Sequence, residues 1–203
     1  ESEIVKDWNV KNVSVLPNIH ISRIDVPPSP SARDGLIFIG NYLHSPNEDA
    51  VKFLVNEIMP FVWANYPEVQ VTLLGSNPST EVLDLVSERV SVTGFVEDVT
   101  PYFDLAKVFI SPLRYGAGMK GKIGQSMSLG LPVVTTSIGA EGLFLINGKN
   151  ALIADEPFEI ANSIVTLIKD KNKWSLLSNE GMKSMQKFCP EIVSKEIAKL
   201  LQL

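Results

Sequence analysis

From residue 36 onward, six short runs rich in β-branched residues alternate with stretches of helical periodicity, and this alternation constrains the fold more than any other feature. The runs span 36–40, 69–75, 90–93, 108–111, 132–135 and 151–154. A strand, a helix and a second strand in succession build a crossover that returns the chain to the same end of the sheet, so neighbouring strands lie parallel. The expected fold class is therefore α/β, a doubly wound parallel sheet covered by helices on both faces. Residues 47–66 carry Val51, Leu54, Val55, Ile58 and Val62 at helical spacing. Pro60 lies inside that stripe and predicts a kink, because it lacks a backbone donor. Asn77 before Pro78 predicts a helix N-cap. Three further helices are expected at 157–170, 172–188 and 191–201, with Gly181 weakening the second and Pro190 separating the third.

The organisation follows from where that alternation starts and stops. Residues 1–34 read as a short strand at 13–17 followed by a linker, since 24–35 is rich in Pro, Ser and charge. The compact unit is expected over 35–170 and the terminal helices over 171–203. The opening Glu1-Ser2-Glu3 has neither a basic nor an apolar stretch, which predicts no signal peptide and a start cut from a longer protein. The chain has 203 residues, 45% of them hydrophobic, which is ample for a core. With 23 acidic residues against 18 basic, it is not expected to bind nucleic acid, whose phosphates demand a basic face. No uninterrupted apolar run reaches the length of a membrane span. One cysteine and two histidines offer little to a soft metal, and the lone thiol fits a reducing, cytoplasmic setting.

In an open parallel sheet, ligands bind beyond the carboxyl ends of the strands. The loops there are 40–46, 75–78, 94–100, 112–121 and 136–142. The fourth is the richest in chemistry: S-P-L-R-Y-G-A-G-M-K-G-K-I-G-Q carries Gly116, Gly118 and Gly121 together with Arg114, Lys120 and Lys122, and runs into a helix. Glycines before a helix N-terminus expose N–H groups and the positive end of the helix dipole, a cradle for a phosphate. Composition alone leaves a second reading open, a glycine-rich connection with solvated lysines. Gly40-Asn41, Gly75 and Gly94 let backbone approach a ligand closely, and Phe95 and Val96 offer backbone groups to a flat base. Glu97 and Asp98 read as a solvated helix start with Asp98 as its cap.

Five motifs in a fixed order now carry a resemblance: F-I-G-N-Y with P-N-E-D-A; V-T-L-L-G; V-T-G-F-V-E-D-V; S-P-L-R-Y-G-A-G-M-K-G-K; and S-L-G-L-P-V-V-T-T-S-I-G-A-E-G-L. Over about two-thirds of its length the chain resembles the C-terminal, Rossmann-like, donor-binding half of a GT-B glycosyltransferase, of the retaining family 4 or group 1 kind. The V-L-P-N-I-H segment resembles that family's interdomain crossing, so the resemblance implies an acceptor-binding half outside this chain. It further implies a UDP-, GDP- or dTDP-linked sugar as donor, and a glycan, lipid-linked or small-molecule acceptor. Peripheral contact with the inner face of a membrane would come through the other half. No cofactor and no metal are expected. Lys120 and Lys122 become the catalytic phosphate ligands, Arg114 a weaker third, and Gly94, Phe95 and Val96 the flank of the base. Gly40, Asn41, Gly75, Gly116 and Gly118 complete the expected donor site.

The family's usual pair of glutamates, eight positions apart, is replaced here by Ala117 and Gln125. Gln125 would meet the ribose as a neutral partner, more weakly than a carboxylate. Asn41 and Asn47 stand near the places of the family's usual basic pair. Glu141 is expected either at the donor sugar or as a helix cap, and His44 either at the sugar side or in a solvated loop. The alternative to a transferase is a nucleotide-binding or interaction module of the same fold without transfer activity. A dinucleotide-dependent dehydrogenase is disfavoured, because the first strand ends in G-N-Y-L-H-S rather than G-x-G-x-x-G.

Overall fold

The computed structural model describes residues 18–21 and 27–201. The strand expected at 13–17 and part of the expected linker lie outside the described residues. Among the described residues, six strands form one sheet: β1 Asp34–Ile39, β2 Val71–Leu74, β3 Val90–Gly94, β4 Ala106–Ser111, β5 Val133–Thr135 and β6 Leu152–Ile153. Their order is β3-β2-β1-β4-β5-β6 and every adjacent pair is parallel. This is the doubly wound, Rossmann-like arrangement. Leu36 of β1 stands opposite Val71 on one side and Val108 on the other. Leu36, Ile37 and Phe38 are all buried, as expected of a central strand with helices over both faces.

The helices are α1 Ser45–Phe53, α2 Met59–Trp63, α3 Thr80–Leu83, α4 Thr100–Leu105, α5 Gly121–Ser128, α6 Ser137–Ala140, α7 Pro157–Lys169, α8 Lys171–Met185 and α9 Pro190–Leu200. Among the described residues, none is long and apolar enough to cross a membrane. The single kinked helix expected over 47–66 is corrected in detail. A π-helical turn, Leu54–Ile58, joins α1 to α2, and the N–H of Met59 reaches back to the carbonyl of Leu54. The Pro60 ring crowds the carbonyl four residues earlier and offers no N–H; a widened turn just before it absorbs both defects. The helix does not bend out of the core, because Val51, Leu54, Ile58 and Val62 all stay fully buried.

A second correction concerns the cap at Asn77. That residue takes a left-handed conformation with φ 56°, which asparagine tolerates, and Ser79 caps α3 instead by accepting from the N–H of Val82. Asp170 caps α8 through the N–H groups of Asn172 and Lys173, both at 2.9 Å. The start of β1 is fastened by Arg33, whose buried guanidinium donates to the carbonyls of Phe103 and Ala106 and lies 5.3 Å from the Trp174 ring centroid. The strand order reverses between β1 and β4. Helices leave to opposite faces there, and a crevice opens above the carboxyl ends of the two strands.

Candidate functional site

A cleft of about 620 Å³ occupies that crevice. Its floor is the end of β1 (Phe38 to Asn41), the end of β2 with Gly75 and Ser76, and Ser111 and Leu113 after β4. Phe95, Val96, Glu97 and Val99 form one wall, and Lys120 to Ile123 with Gln125 form the other. The floor is built by glycine. A Cβ on Gly75 would overlap the carbonyl oxygen of Gly40, and one on Gly40 would lie 2.8 Å from Cγ of Asn47. Those close approaches let Asn47 donate to the Asn41 carbonyl at 2.9 Å, which ties the first turn of α1 to the end of β1. Asn41 in turn accepts from the Leu43 N–H and from the Asn77 amide.

The wall that carries Phe95 follows β3. The N–H of Gly75 donates to the carbonyl of Gly94, and Asp98 accepts from the N–H of Thr100 at 2.9 Å. That backbone bond holds the Asp98 carboxyl below its usual range, although Val99 rather than the expected Asp98 stands at the N-cap of α4. Phe95 projects from this turn with 77% of its surface exposed, an aromatic face left uncovered at the cleft.

The opposite wall is the glycine loop and α5. Gly116 and Gly118 have φ of 119° and 82°, conformations that an L side chain would strain. Their carbonyls turn inward and accept from Nζ of Lys120 at 3.1 and 2.6 Å. Lys120 is the N-cap residue of α5, and its side chain is only 11% exposed. Its Nζ also lies 3.8 Å from the Glu141 carboxylate. Lys122, in the first turn of α5, donates to Oε1 of Gln125 at 3.0 Å and stays exposed. One wall therefore carries two ammonium groups beside a helix N-terminus, and the facing wall carries an aromatic side chain. Residues 33–170 match the family glycosyl transferases group 1.

The chain belongs to the group 1 glycosyltransferases. It is 26% identical over 145 residues to an uncharacterised 44.6 kDa protein of the cps region of Klebsiella pneumoniae, covering 66% of this chain and 37% of that protein. Among solved structures it resembles TarM of S. aureus, crystallised with Fondaparinux, alpha-GlcNAc-glycerol and UDP (TM-score 0.80, 15% identity, 99% of this chain and 42% of that one). HepE of Anabaena, crystallised with UDP and glucose, gives a TM-score of 0.71 at 20% identity, over 85% of this chain and 49% of that one. The pneumococcal O-GlcNAc transferase GtfA, in complex with UDP and GlcNAc, gives 0.75 at 15% identity, over 98% and 43%. The chain spans less than half the length of each of these relatives. They share its fold, the α/β, Rossmann-like architecture of GT-B glycosyltransferases.

Within this group 1 glycosyltransferase the cleft gathers Gly40, Asn41, Gly75, Phe95, Val96, Lys120, Lys122 and Gln125 from the residues expected at the donor site. Gly94, Gly116, Gly118 and Glu141 stand behind it, holding the walls through the bonds just described. Arg114 is not brought to the cleft. Its guanidinium makes two bonds to Asp49, at 2.9 and 2.5 Å, reaches Glu57 at 3.5 Å and lies over the Phe53 ring. Two acids on the α1 side outcompete a loop position, since a planar fork matches a carboxylate. Glu141 neither lines the cleft nor caps the start of α6; Thr136 does the capping, and Glu141 closes that helix beside Lys120. His44 precedes α1 as an exposed residue and does not line the cleft. Ser76, Val99, Ser111 and Leu113 line it without having been singled out from the sequence; their one signal is a position at or after a strand end.

Proposed function

We propose that the cleft binds a nucleoside-diphosphate sugar, and that the whole protein transfers this sugar to an acceptor hydroxyl with retention at the anomeric carbon. The observation that carries the reading is the pairing of Lys120 and Lys122 at the N-terminus of α5 with the exposed Phe95 across the strand-order reversal. The base lies against Phe95 and Val96, the ribose meets Gln125, and the diphosphate meets the lysines and the first N–H groups of α5. When the bond from the anomeric carbon to the diphosphate breaks, negative charge grows on the leaving oxygen. Preorganised cations at that position lower the barrier, and Lys120 and Lys122, rather than a metal ion, neutralise the leaving group. The acceptor hydroxyl, of a glycan, a lipid-linked sugar or a small molecule, is presented by the remainder of the protein. Cytoplasmic nucleotide sugars would be its supply.

UDP is the first nucleotide to test, because TarM, HepE and GtfA were each solved with it. Calorimetry of the chain with UDP, GDP and dTDP is expected to show binding of at least one, weakening as salt rises, since exposed ion pairs are screened. No heat with any of the three rejects the reading. Arg114→Ala is expected to leave that affinity within about twofold, because its charge is already met by Asp49 and Glu57. A loss as large as that of a cleft lysine would return Arg114 to the site.

One observation favours the module without transfer activity: Ala117 and Gln125 stand where the family carries glutamates. Transfer and donor hydrolysis assayed on the whole protein with a panel of nucleotide sugars separate the two readings.

A further inference from the structure

We propose that His20 is a positioning residue, a wedge from the crossing segment that fixes the first turn of α5 and thereby aims Lys120, Lys122 and Gln125 into the cleft. The inference rests on the reading of the cleft as a nucleotide site.

The described part of the crossing, residues 18–21, runs beside α5 with the alternation of an extended chain. Ile19 and Ile21 are exposed on one side, at 52% and 77%. Asn18 and His20 face the helix on the other. A Cβ built on Gly121 would lie 3.4 Å from Nδ2 of Asn18, and one on Gly124 would lie 2.8 Å from Cδ2 of His20 and nearer still to Nε2 and Cε1. Residues three apart share a helix face, so Gly121 and Gly124 form one groove without side chains, and the crossing segment fills it. His20 is 6% exposed and Nε2 finds no hydrogen-bond partner among the described residues. Burial holds its pKa below the ordinary value, so the ring that packs there is neutral.

The wedge is anchored from behind. The N–H of His20 donates to the carbonyl of Phe188 at 2.9 Å, and the two rings meet edge to face at 6.0 Å between centroids. Phe188 closes the 3-10 turn Gln186–Phe188 that leads into α9. In the same turn Lys187 places its ammonium 3.8 Å from the centroid of Phe144, in the loop that follows Glu141. One turn thus braces both the crossing segment behind α5 and the loop that follows Glu141, whose carboxylate lies 3.8 Å from Lys120. An eight-residue helix has little rigidity of its own, and small displacements of a charged group are costly at a site that depends on aim.

The test measures hydrogen exchange of the peptide covering 116–128 in the nucleotide-free chain, and UDP affinity by calorimetry. His20→Ala is expected to speed exchange in the first turn of α5 while β1 and β2 stay protected, and to weaken UDP about tenfold. Gly124→Ala, whose methyl collides with the ring, is expected to do the same. The double variant, with the ring gone and the methyl accommodated, recovers most of both losses. His20→Leu keeps the bulk and is expected to retain slow exchange, which preserves the test if the alanine variant fails to fold. Unchanged exchange in the single variants overturns the wedge, as do simply additive losses in the double variant or loosening by His20→Leu equal to that by alanine. If the wild-type chain binds none of UDP, GDP and dTDP, the reading of the cleft fails, and with it the aiming role; if it binds GDP or dTDP instead, that nucleotide replaces UDP in the affinity arm. The exchange data still decide the contact with α5.

Discussion

Lys122→Ala in the whole protein is expected to lower kcat/KM for the nucleotide sugar by at least tenfold, and Lys120→Ala by at least as much. A charge-assisted hydrogen bond contributes about 1.5–3 kcal/mol, which corresponds to roughly ten- to a hundredfold in rate if it forms with the leaving diphosphate. The two lysines should fail in different ways. Lys122 is exposed and among the described residues its one hydrogen bond goes to the neutral Gln125, so its removal subtracts a cation and little else. Lys120 is nearly buried, and its ammonium gathers the carbonyls of Gly116 and Gly118 near the carboxylate of Glu141. Its loss removes the cation and also leaves two inward carbonyls and a carboxylate facing one another, so the loop itself should loosen. Hydrogen exchange over 112–120 separates the cases, rising in Lys120→Ala and staying near wild type in Lys122→Ala. Because both cations meet the same diphosphate, their effects should not simply add. A double variant that turns over at the normal rate would end the assignment of this wall to the leaving group.

The contrast between the lysines and Arg114 shows where sequence reasoning reaches its limit. Lys120 and Lys122 are placed by local chemistry, the glycines that turn the chain and the helix that follows. Arg114 has the same local credentials, yet its partners lie 65 and 57 residues away on the α1 side, and only the packed structure brings them together. The strands were legible for a related reason. A central parallel strand is buried on both faces, so each reads as an apolar run whatever its neighbours. Pro60 announced a disturbed helix, but whether the defect becomes a bend or a widened turn depends on the hold of Leu54 and Ile58 on the core. At Asn77-Pro78 the local signal itself misled, because asparagine serves equally as a cap or as a left-handed residue, and Ser79 stood two positions on. The groove at Gly121 and Gly124 could not be read at all. Those glycines look like parts of a phosphate loop, whereas their bare face receives Asn18 and His20 from a hundred residues earlier.

Gly75→Ala is expected to be the most damaging single-methyl change in the cleft, and Gly94→Ala supplies its control. Gly94 ends β3, Gly75 directly follows β2, and both have positive φ, at 72° and 156°, the second further from any region open to an L side chain. Space separates them again. A Cβ on Gly94 has no heavy atom within 4 Å, which leaves about 1–2 kcal/mol of conformational strain. A Cβ on Gly75 overlaps the Gly40 carbonyl oxygen, and neither strand end can step aside cheaply. The N–H of Gly40 is bonded to the carbonyl of Leu74, and the N–H of Gly75 to the carbonyl of Gly94. Relief means giving up such bonds, each about 0.5–1.5 kcal/mol, and parting the tops of three strands. Against a total stability of about 5–15 kcal/mol, that loss is a large fraction. In thermal unfolding, Gly94→Ala should lower Tm by roughly 2–8 °C and Gly75→Ala by more than about 10 °C. Nucleotide affinity should follow the same order, since Gly40, Asn41 and Asn47 are held in place by the contact that the methyl would break. Equal Tm values for the two variants would mean that the ends of β1 and β2 yield easily, and a floor that yields could not hold the two walls at the separation a nucleotide requires.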